Sequence, residues 1–273
     1  MKLLGILNKD DHREYGICYV NMRADGSSSI NGNISDILIT KPGLLPEIQG
    51  AAFVLRASLD QDLEVGNILA FSESDVILRV DAEEAPSLWK LSVQQGGFIS
   101  VSSDIQMWKP LHVGILTVSD KASQGLREDT AGPALAKAVS RIGGIVEKQY
   151  ILPDEQSEIE KLLCKWVDEA DLHVILVTGG TGLSSRDVTP EALESIADKI
   201  IPGIGEFMRS RTVYYTPRSI LSRGLAVTRK KSLIIAVPGS QTGAEECFEA
   251  VAPVIRHGVE ILRDWEKECG HKK

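Results

Sequence analysis

From residue 111 onwards, short apolar runs alternate with longer segments in which apolar residues recur every three or four positions. The β-branched run Val113–Val118 predicts a strand, and further strands are predicted at Val146–Leu152, Val174–Val177 and Ser232–Val237. The periodic segments predict helices over Thr130–Ile142, Asp154–Glu169 and Ala244–Trp265, and one more that begins near Pro190 and buries Leu193, Ile196, Ala197 and Ile200. This alternation predicts an α/β fold, a mainly parallel sheet flanked by helices.

The first part of the chain has a different pattern, in which short apolar segments are separated by turn residues. These segments predict strands at Leu3–Leu7, Gly16–Val20, Ala51–Leu55, Asn67–Phe71, Val76–Val80 and Gly97–Val101. Asp25-Gly26 and Pro42-Gly43 are typical of the turns between them. We therefore expect a small β-rich domain over residues 1–109 and the α/β domain over residues 110–273, because Pro110 disfavours helix in the residue before it.

The composition is typical of a globular protein with a sizeable core, since 43% of the 273 residues are hydrophobic and 25% are charged. The net charge is −8, and residues 1–109 carry nine Lys and Arg against fifteen Asp and Glu. This balance argues against a broad nucleic-acid-binding surface, although it leaves room for a local basic pocket.

The apolar runs and the cysteines indicate a cytoplasmic protein. No run approaches about 18 apolar residues, so we expect no membrane span. The first residues do not show the pattern of a signal peptide. Cys18, Cys164, Cys247 and Cys269 are far apart and form no CxxC pair, which argues against a zinc site and against a disulfide framework.

Small or polar residues follow each predicted strand of the α/β domain. Ser119 and Asp120 follow the first strand, Asp154 follows the second, Thr178 to Gly182 follow the third, and Pro238-Gly239-Ser240 follow the fourth. Ligands of such folds bind outside the carboxyl ends of the strands. We therefore expect these residues to form one ligand-binding edge.

The most informative segment is Thr178-Gly179-Gly180-Thr181-Gly182, which is followed by Ser185-Arg186-Asp187. It lacks the lysine of a P-loop and the spacing of a GxGxxG dinucleotide motif. One interpretation is a tight turn that needs glycine for positive φ. The other is an anion-binding loop, in which glycines admit a ligand close to the backbone and hydroxyl groups donate hydrogen bonds.

Three aspartates near these strand ends have two interpretations each. Asp187 either caps the helix that follows or holds Mg²⁺, and Thr189 is the better candidate for the cap. Asp154 either caps the next helix or belongs to the site. Asp120 is either a turn residue or a site residue. In the same way, Pro238-Gly239-Ser240 is either a plain loop or a source of backbone N–H donors.

The histidines do not indicate nucleophilic catalysis. His112, His173 and His257 are scattered over the predicted elements, and no Ser/His/Asp or Cys/His grouping appears. We interpret all three as packing or surface residues.

Taken in order, several unusual blocks of the second domain resemble the MogA/MoaB family of molybdopterin-binding proteins. The blocks are Thr117–Ser123, Leu152–Glu155, Thr178–Gly182, Ser185–Ala192, Ile220–Arg223 and Val237–Ser240. The resemblance covers about residues 111–265.

This resemblance implies a homotrimer that binds molybdopterin, a pterin with a dithiolene and a terminal phosphate. Active members transfer AMP from MgATP to that phosphate and release pyrophosphate, and a downstream enzyme then inserts molybdate. Asp154 and Asp187 correspond to the catalytic residues, and Asp187 is also the predicted Mg²⁺ ligand. The residues expected to bind molybdopterin and ATP are Ser119, Asp120, Thr178, Gly179, Gly180, Thr181, Gly182, Ser185, Pro238, Gly239 and Ser240.

The chain departs from the family pattern after Ser240. Many members have Pro-Lys there, whereas this chain has Gln241-Thr242-Gly243, so one expected positive charge is absent. The candidates to replace it are Arg186, Arg209, Arg218 and Arg223.

In the first domain, Leu59–Leu69 and Val76–Val80 resemble the end of a MOSC domain, a β-rich domain linked to molybdenum cofactor. The cysteine of that domain is expected shortly afterwards, but none lies between Val76 and Trp108. We therefore expect a degenerate accessory or docking domain.

The residues and the resemblance leave three hypotheses for function. The first is a molybdopterin adenylyltransferase. The alternative is a non-catalytic module that stores, senses or delivers molybdopterin or the cofactor. In the third, the protein is bifunctional and its β-rich domain binds finished cofactor.

Overall fold

A computed structural model of the chain describes residues 2–8, 14–15, 17–23, 26–31, 33–34, 36–41, 52–58, 62–71, 74–101 and 103–265. The chain divides into two compact units, Met1–Pro110 and Leu111–Lys273. Each hydrophobic cluster of buried residues lies within one of these units, so each unit has a core of its own.

The described residues of the first unit form twelve strands. They are β1 (Lys2–Asn8), β2 (Glu14–Tyr15), β3 (Ile17–Met22), β4 (Ser28–Ile30), β5 (Asn33–Ile34), β6 (Asp36–Thr40), β7 (Ala52–Ser58), β8 (Ile68–Phe71), β9 (Ile77–Ala85), β10 (Leu88–Gln95), β11 (Gly97–Ser100) and β12 (Ile105–Trp108). Eight form a sheet in the order β12-β8-β9-β10-β6-β7-β1-β2, and four form a second sheet in the order β11-β3-β4-β5. The prediction of a strand-rich N-terminal part is confirmed.

The alternation of residues along the strands builds the core of the first unit. Ile37 and Ile39 of β6 and Leu91 and Val93 of β10 lie in one buried cluster. Neither strand was predicted, although the residues of β10 alternate in the way expected of a half-buried strand. The MOSC resemblance begins at residues 59–61, which lie outside the described residues.

The second unit alternates strands with helices. The elements are β13 (Leu111–Val118), α1 (Asp120–Ser123), α2 (Ala131–Ala138), β14 (Gly144–Leu152), α3 (Gln156–Glu169), β15 (Val174–Thr178), α4 (Thr189–Ile196), β16 (Lys199–Ile200), α5 (Pro202–Thr212), β17 (Ala226–Arg229), β18 (Ser232–Val237) and α6 (Gln241–Leu262), with 3-10 helices at Val139–Ile142 and Pro217–Leu221. The sheet order is β14-β13-β15-β18-β17-β16. The first four strands are parallel and the last two antiparallel, which confirms an α/β fold with a mainly parallel sheet.

Helices cover both faces of this sheet. Val174 and Leu176 of β15 pack in a cluster with α2 and α6, whereas Ile175 and Val177 pack in another with α3 and α4. The central strands are therefore buried on both faces, and ligands of such folds bind outside the carboxyl ends of the strands. In the described part of the chain, no helix is both long and apolar enough to cross a membrane.

The structure corrects the extent of one predicted helix. Ile200 was expected on the buried face of the helix that begins near Pro190, but α4 ends at Ile196 because Ala197 leaves the helical conformation. Ile200 instead belongs to β16, where it pairs with Val227 and is 52% exposed. Its apolar side chain fitted the helical spacing, but tertiary pairing placed it in an edge strand. Neither α5 nor β17 was predicted from the sequence.

Two of the four cysteines are buried in the cores. Burial raises the pKa of the Cys18 thiol to about 12 and that of Cys247 to about 11. Both thiols therefore stay protonated at neutral pH, when they are poor nucleophiles. Cys269 lies outside the described residues.

His173 packs in the second unit, as the sequence interpretation expected. Its side chain is 5% exposed, and its Nδ1 accepts a hydrogen bond from the backbone N–H of His112 at 3.1 Å. The ring makes edge contacts with the rings of His112 and Trp265. Burial, together with the positive charge of Arg263, lowers the pKa of His173 from 6.5 to about 4.

Acid is expected to destabilise the protein through His173. A histidine whose pKa is lower in the folded state contributes stability that is complete above pH 6.5 and is lost as the pH falls towards about 4. The difference between the two pKa values of His173 corresponds to at most about 3 kcal/mol of unfolding free energy. We expect His173→Gln, which keeps an acceptor for the His112 N–H, to flatten the pH dependence of the unfolding free energy measured with urea. The exposed His257→Gln is the control, and parallel curves for His173→Gln and the wild type would contradict this account.

Candidate functional site

The carboxyl ends of four parallel strands meet at one edge of the second unit's sheet, beside a cleft of about 650 Å³. Ten of the residues singled out from the sequence line this cleft: Ser119, Asp154, Gly179, Gly180, Thr181, Gly182, Asp187, Pro238, Gly239 and Ser240. They come from four loops that are distant in sequence. The parallel register of β14, β13, β15 and β18 is what brings them together.

Three of the residues expected to bind molybdopterin and ATP do not line the cleft. Thr178 is fully buried, and its Oγ1 donates a hydrogen bond to the carbonyl oxygen of Pro238 at 2.6 Å. Asp120 donates a backbone hydrogen bond to Asp154, and Ser185 is exposed. Thr178 therefore joins two of the loops that line the cleft.

The glycine loop requires glycine for steric reasons and also lines the cleft. Gly179 has φ +102° and Gly180 has φ +63°, in the left-handed region that favours glycine. A Cβ on Gly179 would collide with the carbonyl oxygen of Val118, and one on Gly180 with Oγ1 of Thr189. The two interpretations of this loop are therefore compatible, because a tight turn brings its backbone to the surface of the cleft.

Thr189 does not cap α4, which corrects the sequence expectation. The cap position is Val188 and has no side-chain hydrogen bond. Thr189 instead donates from Oγ1 to the carbonyl oxygen of Gly179 at 2.8 Å and from its backbone N–H to that of Gly180 at 3.1 Å. Its side chain is thus used to hold the glycine loop.

Asp187 does not cap α4 either. Its Oδ2 accepts a hydrogen bond from the backbone N–H of Ser184 at 2.8 Å. Arg223 holds the same segment, donating to the carbonyl oxygens of Gly182 and Asp187 at 2.8 and 2.6 Å and pairing with Glu191. The loop that carries Asp187 is therefore fixed from two sides.

Asp154 and Asp120 hold each other by reciprocal hydrogen bonds. Oδ2 of Asp154 accepts from the backbone N–H of Asp120 at 2.8 Å, and Oδ1 of Asp120 accepts from that of Asp154 at 3.1 Å. The cap position of α3 is Glu155 and has no side-chain hydrogen bond, so Asp154 does not cap this helix. Its carboxylate is directed by Asp120 and lines the cleft.

Arg186 fixes Asp120 from the other side. Its Nε and Nη2 donate to the two carboxylate oxygens of Asp120 at 3.1 and 2.9 Å, and Nη2 also donates to Glu155 at 2.8 Å. This guanidinium, followed by the backbone N–H of Asp154, lowers the pKa of Asp120. Asp120 therefore stays ionised and braces Asp154.

Asp154 has the opposite electrostatic environment. Burial raises the pKa of its carboxyl group, and the negative charges of Asp120 and Asp187 raise it further, although the hydrogen bond from Asp120 opposes them. A nearby cation, or a bound proton, offsets the unfavourable negative charge of a carboxylate in this position. Such perturbed groups in a cleft are typical of functional sites.

The cleft also has a cationic part that was only partly predicted. Arg127, Arg209 and Arg218 line it. Arg209 and Arg218 were among the candidates for the absent charge, whereas Arg127 was missed. Nη2 of Arg127 donates to Oγ of Ser119 at 3.3 Å, which places its guanidinium beside the first strand end. Its position in the charged loop after Asp120 was the available signal.

This geometry defines an α/β protein whose strand-end cleft is lined by a glycine loop, carboxylates and arginines. The family described as "Probable molybdopterin binding domain" matches residues 114–257. The chain belongs to this family, and the predicted MogA/MoaB resemblance is confirmed for the C-terminal part.

Individual relatives agree with this assignment. A molybdopterin adenylyltransferase of Helicobacter pylori (strain ATCC 700392 / 26695) is 44% identical over 154 residues, which are 56% of this chain and 88% of the relative. The enzyme of the same name from Escherichia coli (strain K12) is 41% identical over 155 residues, covering 55% and 80% of the two chains. The crystal structure of the molybdopterin biosynthesis enzyme MoaB from Thermus thermophilus has a TM-score of 0.54 at 42% identity, over 56% of this chain and 97% of that chain.

Proposed function

We propose that the second unit is a molybdopterin adenylyltransferase of molybdenum cofactor biosynthesis. In this reaction the terminal phosphate of molybdopterin attacks the α-phosphorus of MgATP and forms a phosphoanhydride bond. The bond from the α-phosphorus to the bridging oxygen breaks, and pyrophosphate leaves. The products are adenylyl-molybdopterin and pyrophosphate.

One observation carries this proposal: the cleft combines the glycine loop with Asp154 and Asp187, within the part of the chain that is 41–44% identical to molybdopterin adenylyltransferases. The attacking group is a phosphate of the substrate, so no protein nucleophile is needed. This agrees with Cys247, which lines the cleft and whose buried thiol stays protonated at neutral pH.

The carboxylates fit Mg²⁺ that arrives with ATP. Among the described residues, no three His, Cys, Asp or Glu side chains are grouped as a metal site. Mg²⁺ in nucleotide sites is commonly held by one or two carboxylates together with substrate phosphates and waters. Asp187 and Asp154 line the cleft, and the Oδ1 atom of each accepts no hydrogen bond from the described residues, so both can serve. When bound, Mg²⁺ neutralises phosphate charge.

The remaining residues position the reacting groups. Two phosphate-bearing substrates repel each other, and cationic side chains that line the same cleft offset that repulsion. Arg127 is placed to do so beside Ser119. The reciprocal bonds of Asp120 and Asp154 and the Arg223 clamp on the Asp187 loop keep the carboxylates in place before substrate binds. Such preorganisation is the main contribution a protein makes to this type of reaction.

The decisive experiment incubates the purified 273-residue protein with molybdopterin, ATP and Mg²⁺. We expect adenylyl-molybdopterin and pyrophosphate in equal amounts, and no product when EDTA removes Mg²⁺. A folded protein that binds molybdopterin but forms no product would overturn the proposal. That result would instead favour the non-catalytic module. One observation favours this alternative: α6 begins with Gln241-Thr242-Gly243 and brings no lysine to the cleft.

We also propose that the protein is a homotrimer that delivers its product to a molybdate-inserting enzyme. Large apolar side chains are exposed from α5 to the following 3-10 helix: Phe207, Tyr214, Tyr215, Ile220 and Leu221. Exposed groups of this kind mark interaction surfaces. A sedimentation mass other than three times the 29.7 kDa chain would contradict the trimer. The cytoplasmic location and the MOSC resemblance of the first unit stay predictions.

A further inference from the structure

The cleft extends beyond the strand ends. Its lining includes Met208, Arg209 and Thr212 of α5 and then Thr216, Arg218 and Ser219 at the following 3-10 helix. These residues belong to elements that the sequence pattern did not predict. The cleft therefore has a second region, next to the one built by the glycine loop and the aspartates.

Most arginines near the cleft already bind other parts of the protein. Arg209 donates from Nη1 to the carbonyl oxygens of Ser222 and Gly224 at 3.2 and 2.9 Å. Arg223 is bound to the loop of Asp187, and Arg186 to Asp120 and Glu155. These three guanidinium groups shape the site, and using them to bind a ligand would break those bonds.

Arg218 differs from them. Its guanidinium makes no hydrogen bond or ion pair with the described residues, although it lines the cleft. Its backbone is held in place, because its N–H donates to Oγ1 of Thr216 at 3.4 Å and Pro217 restricts the turn. The structure thus presents an unpaired arginine from a fixed segment into a cleft for anions.

Ser219 gives a second, independent indication of a ligand. Its Oγ is buried and has no hydrogen-bond partner among the described residues. A buried hydroxyl without a partner costs free energy, and a ligand that hydrogen-bonds to it removes that cost. Ser219 follows Arg218 directly and lines the same cleft.

We propose that Arg218, assisted by Ser219, binds a phosphate group of one substrate and thereby determines the affinity for that substrate. The planar guanidinium of arginine matches the geometry of phosphate oxygens, with which it forms strong charge-assisted hydrogen bonds. This inference rests on the proposed function, because it names the role of a residue at the same site. The phosphate belongs either to ATP or to molybdopterin.

The test compares Arg218→Gln, Arg218→Lys and Ser219→Ala in the 273-residue protein. The control is Arg211→Gln, which removes one charge from an exposed position of α5 outside the cleft. Titration calorimetry measures the Kd of ATP with Mg²⁺ and, separately, the Kd of molybdopterin. We expect Arg218→Gln to raise one of the two Kd values about tenfold. Arg218→Lys should recover part of the lost affinity, because lysine keeps the positive charge but lacks the planar set of guanidinium donors. Ser219→Ala should raise the Kd of the same substrate only.

The substrate whose Kd rises identifies the source of the phosphate. In the turnover assay, Arg218→Gln should raise the KM of that substrate and leave kcat within about twofold, as expected for a residue that contributes uniform binding. Unchanged Kd values, or an equal rise in Arg211→Gln, would overturn the inference. Binding is measured without turnover, so a protein that forms no product would refute the adenylyltransferase proposal while still testing Arg218.

Discussion

Asp187→Asn is expected to lower kcat for adenylyl transfer by about 10³-fold, at the upper end of the effect of removing one electrostatic contact to a transition state. The substitution keeps an oxygen that can accept the hydrogen bond from the Ser184 N–H, so the loop beside Gly182 should keep its shape. What is lost is the negative charge that we propose holds Mg²⁺. The Kd of molybdopterin should therefore change by less than about threefold.

The measurements for this variant are single-turnover kinetics and molybdopterin titration. The matched control is Glu194→Gln, which removes an exposed carboxylate of α4 that does not line this cleft. Equal losses of transfer and of molybdopterin binding would show that Asp187 contacts the pterin substrate. Full activity of Asp187→Asn would refute its catalytic role altogether.

Asp154→Asn is expected to lower kcat by about 10²-fold and yet to leave the protein as stable as the wild type, or more stable, at pH 7 without Mg²⁺. Its pKa is raised in the folded state, so its contribution to stability is complete below the ordinary value of 3.8 and is lost as the pH rises through the folded pKa. At neutral pH the ionised carboxylate is therefore a cost that the asparagine removes. An asparagine Oδ1 can still accept the hydrogen bond from Asp120.

Asp120→Asn is expected to change the unfolding free energy at pH 7 in the opposite direction. The pKa of Asp120 is lowered, chiefly by Arg186, so this group contributes stability above pH 3.8 that is lost as the pH falls through the folded pKa. Urea denaturation at pH 7 should show a lower unfolding free energy for Asp120→Asn and an equal or higher one for Asp154→Asn. If Asp154→Asn is the less stable of the two, its carboxylate is a structural group and the assignment fails.

The positions at the strand ends could be predicted because they follow from local pattern and sheet chirality. Asp154 and Gly179 each lie two residues after the end of a predicted strand, and parallel strands bring such positions to one edge. The roles of their side chains could not be predicted in the same way. Thr189 had the sequence context of a helix cap, but its hydroxyl group donates to the carbonyl oxygen of Gly179, ten residues earlier.

The second region of the cleft was missed for a related reason. The segments that became α5 and β17 gave no periodicity from which an element was predicted. Val227 and Ile200 form an antiparallel edge only because β18 offers a free side for pairing. The arginine at position 218 was a candidate from the sequence, but nothing local separated it from Arg186, Arg209 and Arg223.

The sequence by itself predicted the α/β order of the second unit and the residues at its strand ends, because hydrophobic periodicity and glycine conformation are local properties. Only the tertiary structure decided which polar groups form hydrogen bonds or ion pairs with other residues and which remain available to a ligand. Arg186 meets Asp120 across 66 residues and Arg223 meets the Gly182 carbonyl across 41. Such pairings depend on how the sheet brings distant loops together, and they leave Arg218, Asp154 and Asp187 facing the cleft.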